Sequence, residues 1–547
     1  MEEKERQMGI YLNPNNENFE RITKREIYVD KTMMISVINR FMETDNTYLC
    51  ISRPRRFGKT IAGNMLSAYF SKGCDSRSLF APYKISSDPS FESNLNKLNV
   101  IQIDVNSEYR NERDRENFLN NLQDKIVAEF AKQFPDISFG EKESVGNCIL
   151  KAYAEKGEHF VIIMDEYDVL VRENVSQNLF TQYLDFLNGL FKSDTLRPAI
   201  SLAYITGILP VIRDRIQSKL NNFREYTILD AGKLAEFIGF TGDEVRVLCK
   251  KYGTDYDETK RWYDGYSQHG FEIYNPESLV LSIEEGNFAN YWSKTSTYAV
   301  IADRIQQNFA GMKDDIIRML AGESVDVNVT RYMNTMTDFS TRGDAFTYLI
   351  HLGYLAYNRE DKTCRIPNKE VRQEWFNAIE ANEDYAVTNK IIQSSKELLA
   401  ETLRLNSDAV AKSLDESHIN VTSNRSYNNE DALQSAIYLS YIYALNKYTI
   451  IKEQKVTASF GNAETRVFGS QNRNTFADVV FIPFVPNIPA MIIELKRNDS
   501  TESAINQIRE KKYFASLEHY TGNLLFVGVN YDEKTKTHEC RIEQMVK

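Results

Sequence analysis

The stretch Ser52-Arg53-Pro54-Arg55-Arg56-Phe57-Gly58-Lys59-Thr60 constrains this chain more than any other. The apolar run before it, Tyr48-Leu49-Cys50-Ile51, is short enough for a buried strand. The segment after it, Ile61 to Phe70, carries apolar residues at helical spacing. Strand, loop, Gly-Lys-Thr and helix is the context in which a phosphate-binding loop is expected. In that reading Gly58 lets the backbone approach a phosphate, Lys59 reaches the β- and γ-phosphates, and Thr60 holds Mg²⁺. Two departures stand out. Arg53 occupies the place of the usual earlier glycine, and Pro54 removes one amide donor. The competing reading is a basic strand-to-helix turn with a chance Gly-Lys-Thr.

At 547 residues the chain is expected to hold more than one domain. Its apolar content of 42% and charged content of 26% are those of a soluble protein. No apolar run reaches the ~18 residues of a membrane span, so no membrane partner is expected. The charged start, Met1 to Arg6, has no apolar core of a signal peptide, which places the expected location in the cytoplasm. The six cysteines and six histidines are scattered, so neither a disulfide framework nor a His- or Cys-built metal centre is expected. The net charge of −11 restricts any nucleic-acid contact to a local basic patch.

Strands alternating with helices predict an α/β fold, a parallel sheet with helices on both faces. The pattern predicts a helix from Thr32 to Glu43, a strand from Leu98 to Val105, and a charged helix from Arg115 to Gln133. A second chemical stretch is His159-Phe160-Val161-Ile162-Ile163-Met164-Asp165-Glu166-Tyr167-Asp168. A continuous apolar strand ending in two acids fits a buried parallel strand whose carboxyl end meets a ligand. In phosphate-loop ATPases the first acid assists Mg²⁺ and the second polarises the attacking water. Asp165 and Glu166 take those places. A further strand, Ala199 to Ile205, ends at Thr206-Gly207. Thr206 either senses the γ-phosphate or attacking water, or caps the strand end. Arg213, Arg215 and Arg224 follow as candidate cations for developing charge, or as surface arginines.

The run Arg53 to Thr60 resembles the signature of the AAA-ATPase-like family, whose members often carry a C-terminal PD-(D/E)XK nuclease domain. Tyr28-Val29-Asp30-Lys31, Asp165-Glu166-Tyr167-Asp168, Thr206-Gly207, Trp262-Tyr263-Asp264-Gly265-Tyr266, Tyr274-Asn275-Pro276 and Tyr291-Trp292 fit the same family. The resemblance covers nearly the whole chain and implies an AAA-like P-loop NTPase domain over residues 1–295. It also implies that Arg53 belongs at its place, and that the loop arginines add phosphate charge. ATP is then held by Arg55, Arg56, Phe57, Gly58, Lys59 and Thr60, with Asp165 and Thr206 beside it, and Glu166 catalytic. Mg²⁺ falls to Thr60 and Asp165.

The aromatic segment from Trp262 to Trp292 either closes over the nucleotide or stacks on a base, or packs on the ATPase core. Residues 296–420 read as a helical, winged-helix-like lid and linker. Asp344 to Leu352 reads as a helix, with strands Gly353 to Tyr357 and Thr363 to Pro367 around a charge-balanced turn. Such a unit binds DNA, or serves as a lid or protein contact. Leu405 to Asp408 and Thr422 to Ser426 mark a linker from about 405 to 425.

The segment 421–547 carries a third constellation. An amphipathic helix begins near Glu430. Strand-like runs follow at Thr449 to Glu453, Phe476 to Ile482 and Ala490 to Lys496. On a strand Glu494 and Lys496 point to one face. Asp478, on the neighbouring strand, meets Glu494 at one Mg²⁺, and Lys496 orients a water or neutralises charge. Asp478, Glu494-x-Lys496 resembles the PD-(D/E)XK nuclease core, an α/β restriction-endonuclease-like fold. The resemblance adds Glu430 as a helix-borne metal ligand and Gln507, with Tyr513, on the helix Ser500 to Leu517. Lys511 and Lys512 touch phosphate or form a solvated face. A structural ion pair or an inert site is the other reading.

Two functions follow. In the first, ATP binding and hydrolysis regulate a Mg²⁺-dependent nuclease, with Mn²⁺ an alternative metal, acting on nucleic acid, DNA ahead of RNA. In the second, a signalling or scaffold ATPase carries an inert nuclease-like domain that binds nucleic acid or a protein. A homo-oligomer is compatible with either.

Overall fold

The apolar runs of the amino-terminal half assemble into one parallel sheet. Its strands are β1 (Tyr48–Ser52), β2 (Asn99–Asp104), β3 (Phe160–Asp165), β4 (Ile200–Gly207) and β5 (Arg224–Tyr226), in the order β2-β3-β4-β1-β5. Every pairing in it is parallel. A computed structural model supplies this description. It covers residues 8–545 apart from 43, 141, 174, 211–219, 221, 293–298, 308, 331–338, 381–385, 422–429, 453–476, 484–487 and 512–521.

The runs are continuously apolar because helices cover both faces of the sheet. Phe160, Ile162 and Met164 of β3 pack with the helices Phe118–Gln133, Val145–Lys156 and Gln177–Phe191. Side chains alternate along a strand, so Ile163 faces the other way. There its Cγ2 lies 3.5 Å from the position a Cβ on Gly63 would take, against the helix Lys59–Phe70.

The chain divides into two compact units, Met1–Met312 with Ser324–Glu374, and Lys313–Glu323 with Trp375–Lys547. The region expected as a separate middle domain over 296–420 is therefore shared between them. Its helix-and-hairpin belongs to the first unit: a helix Arg342–Leu352, then strands Ala356–Asn358 and Thr363–Arg365, with Val325–Asp326 paired on the edge. Gly353 ends that helix with φ +87, and a Cβ there would come within 2.9 Å of both Pro54 and Trp292. The hairpin unit is thus packed on the loop that follows β1.

The expected linker from about 405 to 425 is corrected for its first part. Only the three-residue turn Arg404 to Asn406, with Leu405 at φ +63, separates the helices Ala386–Leu403 and Ser407–Val421, whose Leu398 and Leu414 share one core. Asn406 accepts a hydrogen bond from the Ala409 amide at 3.3 Å, so the polar run is a helix start. Its second marker, 422–426, lies outside the described residues.

The second unit holds a five-stranded sheet whose strands lie in chain order: Tyr448–Lys452, Val479–Pro483, Ala490–Arg497, Leu524–Asp532 and Thr537–Met545. The first three form an antiparallel meander, the third and fourth pair parallel, and the fourth and fifth antiparallel. The helix Thr501–Glu510 makes the crossover that a parallel pair needs. Met491, Ile493 and Leu495 pack in a core with Leu398, Leu414 and Ile437. Ala490 and Ile492 face the other way, toward Ile505 and Ile508. By the same alternation Glu494 and Lys496 lie on the Thr501–Glu510 side.

Candidate functional site

Gly58, with φ +92, turns the chain from the loop after β1 into the helix Lys59–Phe70. A Cβ on Gly58 would meet nothing within 4 Å, and only glycine adopts this left-handed conformation without strain. The helix amides at its start are thus open to a cavity of about 680 Å³, within the size range of small-molecule sites. Arg55, Arg56, Phe57, Gly58, Lys59, Thr60 and Glu166 all line it.

The Lys59 ammonium is buried and donates to the carbonyls of Arg53 and Pro54, both at 2.9 Å. Burial pushes it down to about 8, against the pull of Asp165, Glu166 and Asp168. The Thr60 hydroxyl donates to Asp165 Oδ2 at 2.5 Å. The Thr206 hydroxyl donates to the other carboxylate oxygen, which also accepts from the Glu166 amide at 3.0 Å. Thr206 is fully buried, so it orients Asp165 and does not line the cavity. Thr60 and Asp165 form an oxygen pair suited to a hard divalent cation.

The arginines divide. Arg53 is fully buried, and its guanidinium donates to the carbonyls of Ser52 at 2.8 Å and Tyr226 at 2.9 Å. Its side chain therefore ties the ends of β1 and β5 together. The expectation that it adds phosphate charge is corrected: the buried side chain is absent from the cavity lining and bonds strand carbonyls through Nη1. Arg55 and Arg56 are exposed at the cavity, with Arg56 Nη1 3.5 Å from the Glu277 carboxylate. Phe57 lines the cavity, yet its ring is buried edge-on against Tyr266 with centroids 5.4 Å apart. Arg224 lies over the rings of Phe41 and Tyr226. Arg213 and Arg215 lie outside the described residues.

Sequence reasoning left the cavity's other walls unassigned. They come from Ile27, Val29, Phe237, Phe240 and Val280. The Tyr28 to Lys31 stretch is held there by Lys31, which donates to Glu236 O at 2.5 Å and Glu244 Oε2 at 2.6 Å. Asn275 accepts from the Glu277 amide at 3.1 Å and caps the helix Pro276–Glu285, whose first turn lines the cavity. Trp262, Tyr263, Tyr266 and Tyr274 are buried and absent from its lining, so they pack the core. Gly265, at φ +123, leaves room for the Pro367 carbonyl.

In the second unit Glu494 is buried and Lys496 Nζ lies 3.5 Å from its Oε1. Gln507 donates to the same Oε1 and accepts from Lys496 at 2.6 Å. Asp478 precedes the strand Val479–Pro483, and its Oδ2 accepts from the Leu495 amide at 2.7 Å. Gln434 donates to the Asp478 carbonyl at 2.6 Å. Burial and the nearby Asp478 charge push Glu494 up to about 7. The side chain of Glu430, first residue of the helix Glu430–Ser440, is outside the described residues, as are Lys512 and Tyr513. Among the described residues no group of three or more His, Cys, Asp or Glu side chains could hold a metal ion. No described helix is long and apolar enough to cross a membrane.

Comparison with known proteins reaches part of the chain. A protein of Azotobacter chroococcum mcd 1, described as an uncharacterized protein in the vnfD 5' region, is 25% identical over 291 residues. The match spans 52% of this chain and 53% of that protein's length. Two similar solved structures are a STAND signal-transduction ATPase with a tetratricopeptide repeat sensor from Pyrococcus horikoshii and the Aeropyrum pernix ORC2 protein. The first is 10% identical, covering 78% of this chain and 56% of that one, with a TM-score of 0.24. The second is 11% identical, covering 65% and 97%, with a TM-score of 0.25. Likenesses this distant set no functional expectation. The family described as AAA-ATPase-like, predicted AAA-ATPase, matches residues 15–217, the stretch that holds β1 to β4 and the cavity's Lys59, Thr60 and Glu166.

Proposed function

We propose that the chain binds and hydrolyses ATP at the cavity after β1, and that nucleotide state regulates a metal-dependent nuclease centre in the second unit. The observation that carries the first half is the meeting of Thr60 and Asp165 at 2.5 Å beside buried Lys59, on the rim of a nucleotide-sized cavity. Lys59 offers charge to the β- and γ-phosphates, and a phosphate in turn favours its protonated form. Thr60 and Asp165 are the residues to hold Mg²⁺, which when bound supplies charge neutralisation at the phosphates. Glu166 orients the attacking water and takes its proton. The apolar side chains of Ile27, Val29, Phe240 and Val280 suit the base.

The second half rests on Asp478, Glu494, Lys496 and Gln507 lying together where the strand Ala490–Arg497 meets the helix Thr501–Glu510. The donor set fits a hard metal ion: Glu494 Oε2 is buried without a hydrogen-bond partner. Asp478 and Glu494 are the residues to hold Mg²⁺ or Mn²⁺, with Glu430 as a third candidate. A bound ion supplies an acidified water and charge neutralisation at a phosphodiester. Lys496, steadied by Gln507, places its ammonium where negative charge develops. DNA is the proposed substrate. A scaffold ATPase with an inert second centre is the outcome if no cleavage is found. ATP hydrolysis tests the first half: Lys59→Ala is expected to lower turnover by about 100-fold or more. Turnover equal to wild type would overturn the ATPase assignment.

A further inference from the structure

Glu166 occupies an unusual position. Its backbone is left-handed, with φ +49, in a residue that carries a Cβ. Such strain persists where surrounding bonds impose it. Here the Glu166 amide is held by Asp165. The side chain is held separately. Arg172 Nη2 donates to Glu166 Oε2 at 3.0 Å, and Arg172 Nε donates to Asp168 Oδ2 at 3.1 Å. The Arg172 side chain is 8% exposed and that of Asp168 fully buried. Asp168 Oδ2 also accepts from the amides of Ile208 at 3.0 Å and Leu209 at 2.8 Å, directly after β4. Gly207 leaves room for this, because a Cβ there would stand 2.8 Å from Asp168 Oδ1.

The bonds close a ring through the site. Thr206 at the end of β4 holds Asp165, Asp165 holds the Glu166 amide, and Arg172 returns from Glu166 to Asp168 and the start of the segment after β4. We propose that Arg172 is a positioning residue for ATP hydrolysis. By spanning Glu166 and Asp168 it occupies Glu166 Oε2 and leaves Oε1 to meet the attacking water in the cavity. The proposal rests on the assignment of Glu166 as the group that handles that water. Only a planar guanidinium with several fixed donors spans two carboxylates in this way; an ammonium is a single point of charge.

The experiment measures kcat and KM for ATP, and the affinity for a non-hydrolysable ATP analogue, in Arg172→Lys, Arg172→Gln and Glu166→Gln, and in Arg172→Lys combined with Glu166→Gln. Arg172→Lys is expected to lose about 10-fold or more in kcat with analogue affinity held within about twofold. In the Glu166→Gln background it is expected to cost nothing further, because both changes remove one function. Arg172→Gln is expected to fall at least as far as Arg172→Lys. A wild-type kcat in Arg172→Lys, equal losses in both backgrounds, or an affinity loss matching the kcat loss would each overturn the proposal. So would failure of both arginine variants to fold, which would make the residue structural. If Glu166→Gln itself turns over ATP at the wild-type rate, the assignment of the site fails. If Glu166→Gln is inactive while Arg172→Lys is not, only the role of Arg172 fails.

Discussion

The two polar clusters use the same residue types in opposite ways. At the first, Lys59, Thr60 and Glu166 border a cavity of about 680 Å³, and their partners come from the loop after β1, from β3 and from the segment after β3. At the second, Glu494 and Lys496 of the strand Ala490–Arg497 and Gln507 of the helix Thr501–Glu510 are bonded mainly to one another. The first arrangement sets Lys59, Thr60 and the start of their helix on the wall of an open space, as a phosphate ligand requires. The second buries an acid whose remaining oxygen has no partner, so its charge is costly until a cation arrives. Ligand binding at the first is therefore expected to be governed by shape and donors, and at the second by protonation.

The largest effect that sharpens this contrast is on cleavage. Glu494→Ala is expected to reduce Mg²⁺-dependent DNA cleavage by about 100-fold, measured against wild type at pH 8. Equal cleavage by the two would leave the second cluster as a structural ion pair.

A pH effect of intermediate size follows from the Glu494 pKa, which burial and the nearby Asp478 charge push up to about 7. The folded protein then keeps a proton that the unfolded chain loses near the ordinary glutamate value. Its stability contribution is present below about pH 4.5 and declines as pH rises through about 7. Without metal, Glu494→Gln removes this decline, and by pH 8 it is expected to be more stable than wild type by up to about 3 kcal/mol. Urea unfolding at pH 5 and pH 8 checks it. A difference between variant and wild type that does not change with pH would contradict the burial account. Cleavage by wild type is correspondingly expected to rise through pH 7.

A smaller effect concerns Arg53. Arg53→Met leaves the buried carbonyls of Ser52 and Tyr226 without their donor and is expected to cost about 1–3 kcal/mol in unfolding. Its effect on ATP affinity is expected to be smaller than that of Lys59→Ala. A variant as stable as wild type, but with ATP affinity as weak as in Lys59→Ala, would restore Arg53 to the phosphate site.

The sequence made some of this legible for physical reasons. A strand covered on both faces must be continuously apolar, so β1 and β3 and their chemical ends stood out. The period of two placed Glu494 and Lys496 on one face. Arg172 was not legible. It follows Asp168 by four residues, a spacing that pairs charges on a helix. Its second bond, to Glu166, depends on a left-handed turn in a residue other than glycine. The inward course of Arg53 depends on β5 lying beside β1, which local pattern does not encode. The cavity walls at 27–29, 237–240 and 280 are brought together by packing over long sequence separations. The run at 405–408 misled because the same polar residues that start a loop also cap a helix.

The central claim is that nucleotide at the first centre controls chemistry at the second. It is tested most directly by Mg²⁺-dependent cleavage of duplex DNA by the full chain, with and without ATP, for wild type and Lys59→Ala. ATP is expected to change the wild-type rate by about fivefold or more and leave the Lys59→Ala rate unaltered. A wild-type cleavage rate that is the same with and without ATP would contradict the account.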